Sequence, residues 1–295
     1  MKLGFVGLGK MGRHMAMNLL KSGNELVVTD INADAFPEFK EKGARTTARM
    51  DEIAQSDIIF LSLPDSRIVK DVLFGENGLA LNLRKGQIVV DLSTITYSCT
   101  LEISRQLGEL GIGFLDAPVS GLESRAKDAT LTVMCGGSPE VFEKVKPCLD
   151  CMGNNILYMG VTGNGQLAKL VNQLLYDINM AALAEILPMA VKMGLDPETI
   201  GKVINSGTGR SLASEFFIPR ILKGSFSESY PLEKAYKDLV SGAEISANLG
   251  IPLPVLHAAT TTYQMALLKG LGDRDKGAMI CVFEELLGVK YRSRQ

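Results

Sequence analysis

Residues 2–12 read Lys2-Leu3-Gly4-Phe5-Val6-Gly7-Leu8-Gly9-Lys10-Met11-Gly12, an apolar run that opens into a G-x-G-x-x-G turn and then into the amphipathic stretch 11–22. The apolar run predicts a buried strand and the spacing behind it predicts a helix, so the three glycines stand at a strand-to-helix turn. There the glycines serve three separate needs, namely the tight turn, the approach of a pyrophosphate, and close packing of helix on sheet. The helix N-terminus adds amide donors and a positive dipole end for the phosphates. Eighteen positions after Gly12 the second predicted strand ends on Asp30, close to the roughly 20-residue offset at which a carboxylate binds the ribose diol of a dinucleotide. A carboxylate there repels a 2′-phosphate, so NAD is the expected cofactor and NADP is disfavoured. The expected cofactor residues begin with Gly7, Leu8, Gly9, Lys10, Met11, Gly12 and Asp30.

Working outward, apolar or β-branched runs at 25–29, 57–63, 87–91, 113–116, 130–135 and 155–159 alternate with helical-period segments at 33–42, 67–73, 98–110 and 139–149. That alternation predicts β-α-β units around a largely parallel sheet. Past Gly163 the pattern becomes helical throughout, with segments at 166–193, 196–204, 232–249, 256–269 and 276–287. The expected fold class is α/β: an N-terminal doubly wound Rossmann domain over 1–163 and an all-helical C-terminal domain over 164–295, joined by a long helix at 166–193. Two domains also suit the length, since single cores stop growing at roughly 250–300 residues. Open α/β sheets bind ligands at the carboxyl ends of their strands, which adds Leu63, Pro64, Ser93 and Thr94 to the cofactor residues. Ordinary loop chemistry suits the same residues, Pro64 as a rigid exit and Ser93 or Thr94 as a helix cap.

Lys and Arg number 31 against 33 Asp and Glu, so there is no bulk positive field for nucleic acid or an anionic membrane. The first residues enter a strand at once, without the regions of a signal peptide. The most apolar stretch, 180–191, is interrupted by Glu185 and Pro188, short of the roughly 18 apolar residues that a membrane span needs. A cytoplasmic protein with a small-molecule substrate is expected. The five cysteines are an odd number and read as reduced thiols. Cys148-x-x-Cys151 has no second cysteine pair, and His14 and His257 lie far apart, so no metal site is expected. Methionines at helical spacing within 180–193 read as core and subunit packing, and a homodimer or homotetramer is expected.

A second cluster lies at Gly163-Asn164-Gly165-Gln166-Leu167-Ala168-Lys169-Leu170-Val171-Asn172. A glycine pair feeds the long helix, and Lys169 and Asn172, three residues apart, share one face of it. A lysine can exchange a proton with a hydroxyl that becomes a carbonyl, because desolvation beside a cationic nicotinamide favours the neutral amine. Spacing alone also fits a lysine on a solvated helix face.

Four ordered motifs settle between these readings: the glycine fingerprint, Asp116-Ala117-Pro118-Val119-Ser120-Gly121, the 165–172 segment, and Lys237-Asp238-Leu239. Together they resemble the β-hydroxyacid dehydrogenase family, the 3-hydroxyisobutyrate dehydrogenase-like group, across essentially the whole chain. The resemblance implies a helical domain of the 6-phosphogluconate dehydrogenase-like type and an NAD-dependent dehydrogenase, or semialdehyde reductase, acting on a small 3-hydroxy acid. It implies that Lys169 is the catalytic acid-base, that Asn172 binds substrate, and that Ser120 and Gly121 hold the substrate carboxylate. Lys237 is implied to reach cofactor and substrate, and Ser93-Thr94 matches the family's motif after the fourth strand. A non-catalytic dinucleotide-binding module and an imine reductase on the same scaffold are the alternatives, and Lys169 speaks against both.

The chain also departs from the family pattern. Leu122 and Ala129 stand where relatives commonly carry glycine, at a cost in backbone freedom. Arg125 and Lys127 occupy a stretch where small or acidic residues are frequent. The run Ser206-Gly207-Thr208-Gly209-Arg210-Ser211 looks like one found in the family's hydroxymethylglutarate branch, which makes Arg210 a candidate for binding a second, distal carboxylate. An anionic group could engage Arg125 or Arg210, while an exposed loop charge and a turn between helices explain them equally simply.

Overall fold

The segment Lys2–Val6 forms β1, buried from Leu3 onward, and parallel neighbours lie on both of its sides, β2 (Glu25–Thr29) and β4 (Ile58–Leu61). This is a computed structural model that describes residues 1–293. It divides into two compact units, Met1–Lys169 and a second beginning at Leu170.

In the first unit the remaining strands are β3 (Arg45–Thr46), β5 (Ile88–Asp91), β6 (Gly113–Asp116), β7 (Val119–Ser120), β8 (Leu131–Gly137) and β9 (Gly153–Gly160). Their order is β3-β2-β1-β4-β5-β6-β8-β7, with β9 also paired to β8. From β3 to β6 all pairs are parallel. The central strands β4 and β5, with sequences IIFL and IVVD, are wholly buried, as expected where helices cover both faces of a sheet. The chain runs from β1 out to β3 and returns on the other side of β1 at β4, which makes the carboxyl ends of β1 and β4 the topological switch point where such sheets bind ligands.

Helices Gly12–Lys21, Phe36–Glu41, Ser66–Phe74, Tyr97–Glu109 and Pro139–Leu149 lie where helical period predicts them. Periodicity does not predict β3, β7 or the short helices Met50–Ile53 and Leu122–Lys127, because two to six residues are too few to display a period. After β6 the chain kinks at Ala117-Pro118 and continues along β8: Asp116 pairs with Gly136, the Met134 amide donates to the Pro118 carbonyl at 3.0 Å, and Ser120 pairs with Thr132. The Asp116–Ser120 motif is thus backbone-paired at both ends.

The boundary between the units falls inside the 29-residue helix Asn164–Lys192, which continues through Glu185 and Pro188. By length and composition this helix could cross a membrane, yet long core helices share that property. Its Met180, Ala184 and Leu187 are packed in the core of the second unit with Phe217, Leu239, Tyr263 and Ile280. Asp177 on the same helix is fully buried and ion-paired to Lys276, whose ammonium also lies 4.0 Å from the Tyr176 ring centroid. The other α-helices of this unit are Pro197–Ser206, Leu212–Leu222, Leu232–Leu249, Pro254–Leu268 and Ile280–Leu287. Sequence period does not indicate the Leu212–Leu222 helix, since its LASEFFIPRIL sequence is apolar on several sides and contains Pro219. Its start is instead fixed by a capping box between Ser211 and Ser214.

Candidate active site

The three fingerprint glycines divide their work in the structure. Gly7 has a φ of +97°, and a Cβ there would stand 2.2 Å from the Ser62 carbonyl oxygen. A Cβ on Gly12 would stand 2.0 Å from the Gly7 oxygen, whereas nothing lies within 4 Å of one on Gly9. Two of the glycines are therefore required by the protein's own packing, and the third leaves open space for an incoming group, as a pyrophosphate would require. Lys10 is exposed beside it and Met11 half-buried at the helix start.

Asp30, at the end of β2, accepts the Leu8 amide on one carboxylate oxygen and the Asn32 amide, at 2.8 Å, on the other. The carboxylate is thereby oriented while each oxygen retains capacity for a further hydrogen bond. A cavity of about 210 Å³ opens beside it, lined by Leu8, Gly9, Arg13, Asp30, Asn32 and Asp34 among others. An open glycine, an oriented acid and a cavity between them fit the adenosine end of a dinucleotide.

The next strand ends are stitched together by one hydrogen-bond network. The Leu63 amide donates to Ser93 Oγ at 2.9 Å, and the Ser93 amide donates to Asp91 Oδ1 at 2.9 Å. Gln166 Nε2 donates to the Ser93 carbonyl at 2.7 Å, and the Ile95 amide donates to Gln166 Oε1 at 3.3 Å. Ser93 is buried, Thr94 and Leu63 are half-buried, and Pro64 is exposed at the strand exit.

Asp116, buried at the end of β6, accepts the Gly163 amide on Oδ1 at 2.7 Å and the Gln166 amide on Oδ2 at 3.0 Å. From a distant strand it satisfies amides at the start of the Asn164–Lys192 helix, as a local cap does elsewhere. A Cβ on Gly165 would stand 2.4 Å from the Met134 oxygen and 2.7 Å from Asp116 Oδ2, so only glycine permits this docking. Lys169 follows Gln166 by three residues and is only 8% exposed.

Asp91, Asp116 and Gln166 are the residues that sequence reasoning does not single out for a role of their own. The available signal is that β5 and β6 are apolar strands each ending on aspartate, and the register sets Asp91 beside Asp116. Burial pushes Asp91 up to about 7, against the pull of its hydrogen bonds from Ser93 and with a contribution from the charge of Asp116. Burial likewise pushes Asp116 up to about 6, opposed by the amides of Gly163 and Gln166. Both values lie above that of an ordinary carboxylate, so over this interval the folded protein holds more protons than the unfolded chain. Stability is then fully present below the ordinary value of 3.8 and declines as the pH rises through about 6 and about 7. Asp91→Asn keeps an acceptor for Ser93 and removes the charge; it is expected to flatten this decline and to stabilise the protein above neutrality by on the order of 2 kcal/mol. Urea unfolding across the pH range checks this, and an unchanged slope would contradict it.

Ser120 and Gly121 lie at the end of β7, immediately before the Leu122–Lys127 helix. Leu122 has a φ of +61° and Ala129 a φ of +54°, so both positions at which the family resemblance implies glycine adopt the left-handed conformation with a side chain in place. That conformation costs an L-residue about 1–2 kcal/mol. Leu122→Gly is expected to raise stability by about 0.5–1 kcal/mol once the larger unfolded-state entropy of glycine is set against the strain. A thermal melt that moved downward would refute it. Arg125 and Lys127 are exposed.

In the second unit Asn172 is exposed on its helix, and the adjacent Gln173 donates to Asp238 at 3.5 Å. Lys237 is half-buried beside the buried Asp238. Arg210 is exposed and its Nε donates to Glu215 at the start of the next helix. Among the described residues no group of three or more potential metal-ligating side chains occurs.

Comparison with known proteins extends these findings over the full chain. Residues 2–160 match the family model for the NAD binding domain of 6-phosphogluconate dehydrogenase, and residues 163–283 match that for NAD-binding of NADP-dependent 3-hydroxyisobutyrate dehydrogenase. The 2-(hydroxymethyl)glutarate dehydrogenase of Eubacterium barkeri is 39% identical, the match covering 100% of this chain and 98% of that protein. The 2-hydroxy-3-oxopropionate reductase of Escherichia coli is 37% identical over 98% of this chain and 99% of the relative. A crystal structure of 3-hydroxyisobutyrate dehydrogenase from Salmonella typhimurium superposes with a TM-score of 0.88 at 30% identity, covering 96% of this chain and 99% of the other.

Proposed function

The chain belongs to the β-hydroxyacid dehydrogenase family, and from that premise we propose that it is an NAD-dependent oxidoreductase interconverting a small 3-hydroxy acid and its semialdehyde or oxo acid. NAD(P) dependence and action on small hydroxy acids follow the relatives' named activities; the preference for NAD, the acid-base lysine and the substrate contacts are our assignments.

The observation that carries the proposal is the docking of the Lys169 helix. Asp116 at the end of β6 holds the amides of Gly163 and Gln166, while the Gln166 side chain is bonded to the backbone of Ser93 and Ile95. Lys169 is therefore delivered, largely desolvated, from a helix start anchored to the sheet at its ligand-binding end. A lysine so held can accept the hydroxyl proton as the substrate is oxidised and return it in the reverse direction. The nicotinamide, when bound, supplies the hydride exchange. Ser120 and Gly121 are assigned to the substrate carboxylate, the hydroxyl of Ser120 as donor, and Asn172 to substrate orientation one turn beyond Lys169. Lys237 is assigned to cofactor and substrate. The oriented carboxylate of Asp30 supports NAD, since it takes the ribose diol and repels a 2′-phosphate.

The test is a panel of small hydroxy acids and semialdehydes assayed by NADH absorbance, with dicarboxylates and sulfonates included. Turnover confined to 3-hydroxy acids and their semialdehydes supports the proposal, and absence of turnover with every member would refute it. Since Arg210 is engaged by Glu215, Arg210→Ala is expected to change dicarboxylate and monocarboxylate KM values alike.

A further inference from the structure

The cavity beside Asp30 is bordered by a cation as well as by acids. Arg13, in the first turn of the Gly12–Lys21 helix, lines this cavity together with Asp30, Asn32 and Asp34. A guanidinium at that place is the group that would hold a 2′-phosphate, because its planar fork binds phosphate oxygens bidentately. Arg13 is already occupied, however: its Nε donates to Glu38 Oε2 at 2.8 Å, and its Nη2 donates to the same oxygen. Glu38 belongs to the Phe36–Glu41 helix and is not among the residues lining the cavity. The other ionic groups there are acidic: Asp30 is bonded to the Leu8 and Asn32 amides, and Asp34 to the Asn32 side chain.

We propose that Glu38 is a cofactor-selectivity residue, holding the Arg13 guanidinium so that it is withheld from a 2′-phosphate and NADP(H) is discriminated against. The proposal rests on reading this cavity as the adenosine end of an NAD site. In this arrangement selectivity has two parts. Asp30 acts directly, as an acceptor for the ribose diol and a like charge to phosphate. Glu38 acts indirectly, by satisfying the cation that would otherwise offset Asp30. The Arg13–Glu38 pair is partly exposed, with side chains 49% and 36% accessible, so solvent screens it and a single substitution can release it without disturbing the core.

The experiment measures NADH and NADPH dissociation constants, by cofactor fluorescence, for the full chain and for E38Q, R13A and the R13A/E38Q double variant. The wild-type ratio of the two constants reports on the NAD assignment itself. The change of that ratio in E38Q reports on the proposal, whichever cofactor the wild type prefers. E38Q leaves Arg13 only a neutral amide acceptor, which a phosphate dianion displaces, and is expected to shift the ratio toward NADPH by about threefold to tenfold, the scale of one arginine-phosphate contact in partly exposed surroundings. In the R13A background the same substitution is expected to shift it by less than about twofold, since no guanidinium is left to release. An unchanged ratio in E38Q would overturn the proposal. An equal shift with and without Arg13 would overturn it as well, because Glu38 would then act only through its own negative charge.

Discussion

Lys169→Ala is expected to lower kcat by about a hundredfold to ten-thousandfold, the range supplied by a positioned acid-base group, while the NADH dissociation constant changes by less than about threefold. The separation of the two effects follows from where Lys169 stands. The residues that fit the adenosine and pyrophosphate, Gly9 and Asp30 with the cavity beside them, belong to the β1 and β2 ends and make no use of the lysine. Lys169 instead lies one turn into the helix that Asp116 and Ser93 anchor. Alanine is the strongest helix former, so the substitution is expected to leave the helix intact. Lys169→Arg keeps the charge but carries a group that does not release its proton near neutral pH, and it is expected to remain nearly as impaired as Lys169→Ala. Steady-state kinetics and NADH fluorescence together decide the point. Full activity in Lys169→Ala would remove the mechanism, and loss of NADH binding in step with kcat would reassign the lysine to the cofactor.

Asp116→Ala is the second substitution with a large expected effect, about 2–4 kcal/mol of stability, because it leaves two buried amides without acceptors. The amides are those of Gly163 and Gln166, at 2.7 and 3.0 Å from the carboxylate. The loss is partly offset because the buried charge, whose cost is visible in the upward push to about 6, is removed as well. A helix start no longer held to β6 also no longer delivers Lys169 to a fixed place, so kcat is expected to fall by about tenfold or more. Asp116→Asn retains one acceptor and replaces the other by a donor facing an N–H group, so an intermediate loss is expected. Urea midpoints measure the stability term, and kinetics at temperatures where the variant is fully folded measure the catalytic one. Wild-type stability in Asp116→Ala would mean that the helix start is held by its other contacts alone.

Much of this was legible along the chain because it depends on local rules. The glycine turn was readable because a strand, a tight turn and a helix follow one another within a few residues, and the steric demands on Gly7 and Gly12 come from Ser62 and from Gly7 itself. Asp30 was readable because it ends the very next strand. The lengths of β7 and of the Leu122–Lys127 helix were not readable, since neither is long enough to show a period. The glycine preference at Leu122 and Ala129 was legible only through the family resemblance; the left-handed backbone at both positions shows what it was for.

The amino-acid sequence by itself determined the alternation of the longer strands and helices, the change to helix after Gly163, the fingerprint with its acidic partner, and the motifs that identify the family. These are properties of neighbouring residues, set by periodicity, turn sterics and the dipole of a helix start. Only the tertiary structure decided which groups use one another across long separations. The Asp91–Asp116 pairing depends on the register of β5 against β6. The docking of Gly163 and Gln166 onto Asp116 bridges 47 and 50 residues. The withholding of Arg13 by Glu38 joins two helices that are 25 residues apart at that contact. Such contacts leave no periodic trace in the chain, because they depend on where backbone pairing brings the ends of separate elements.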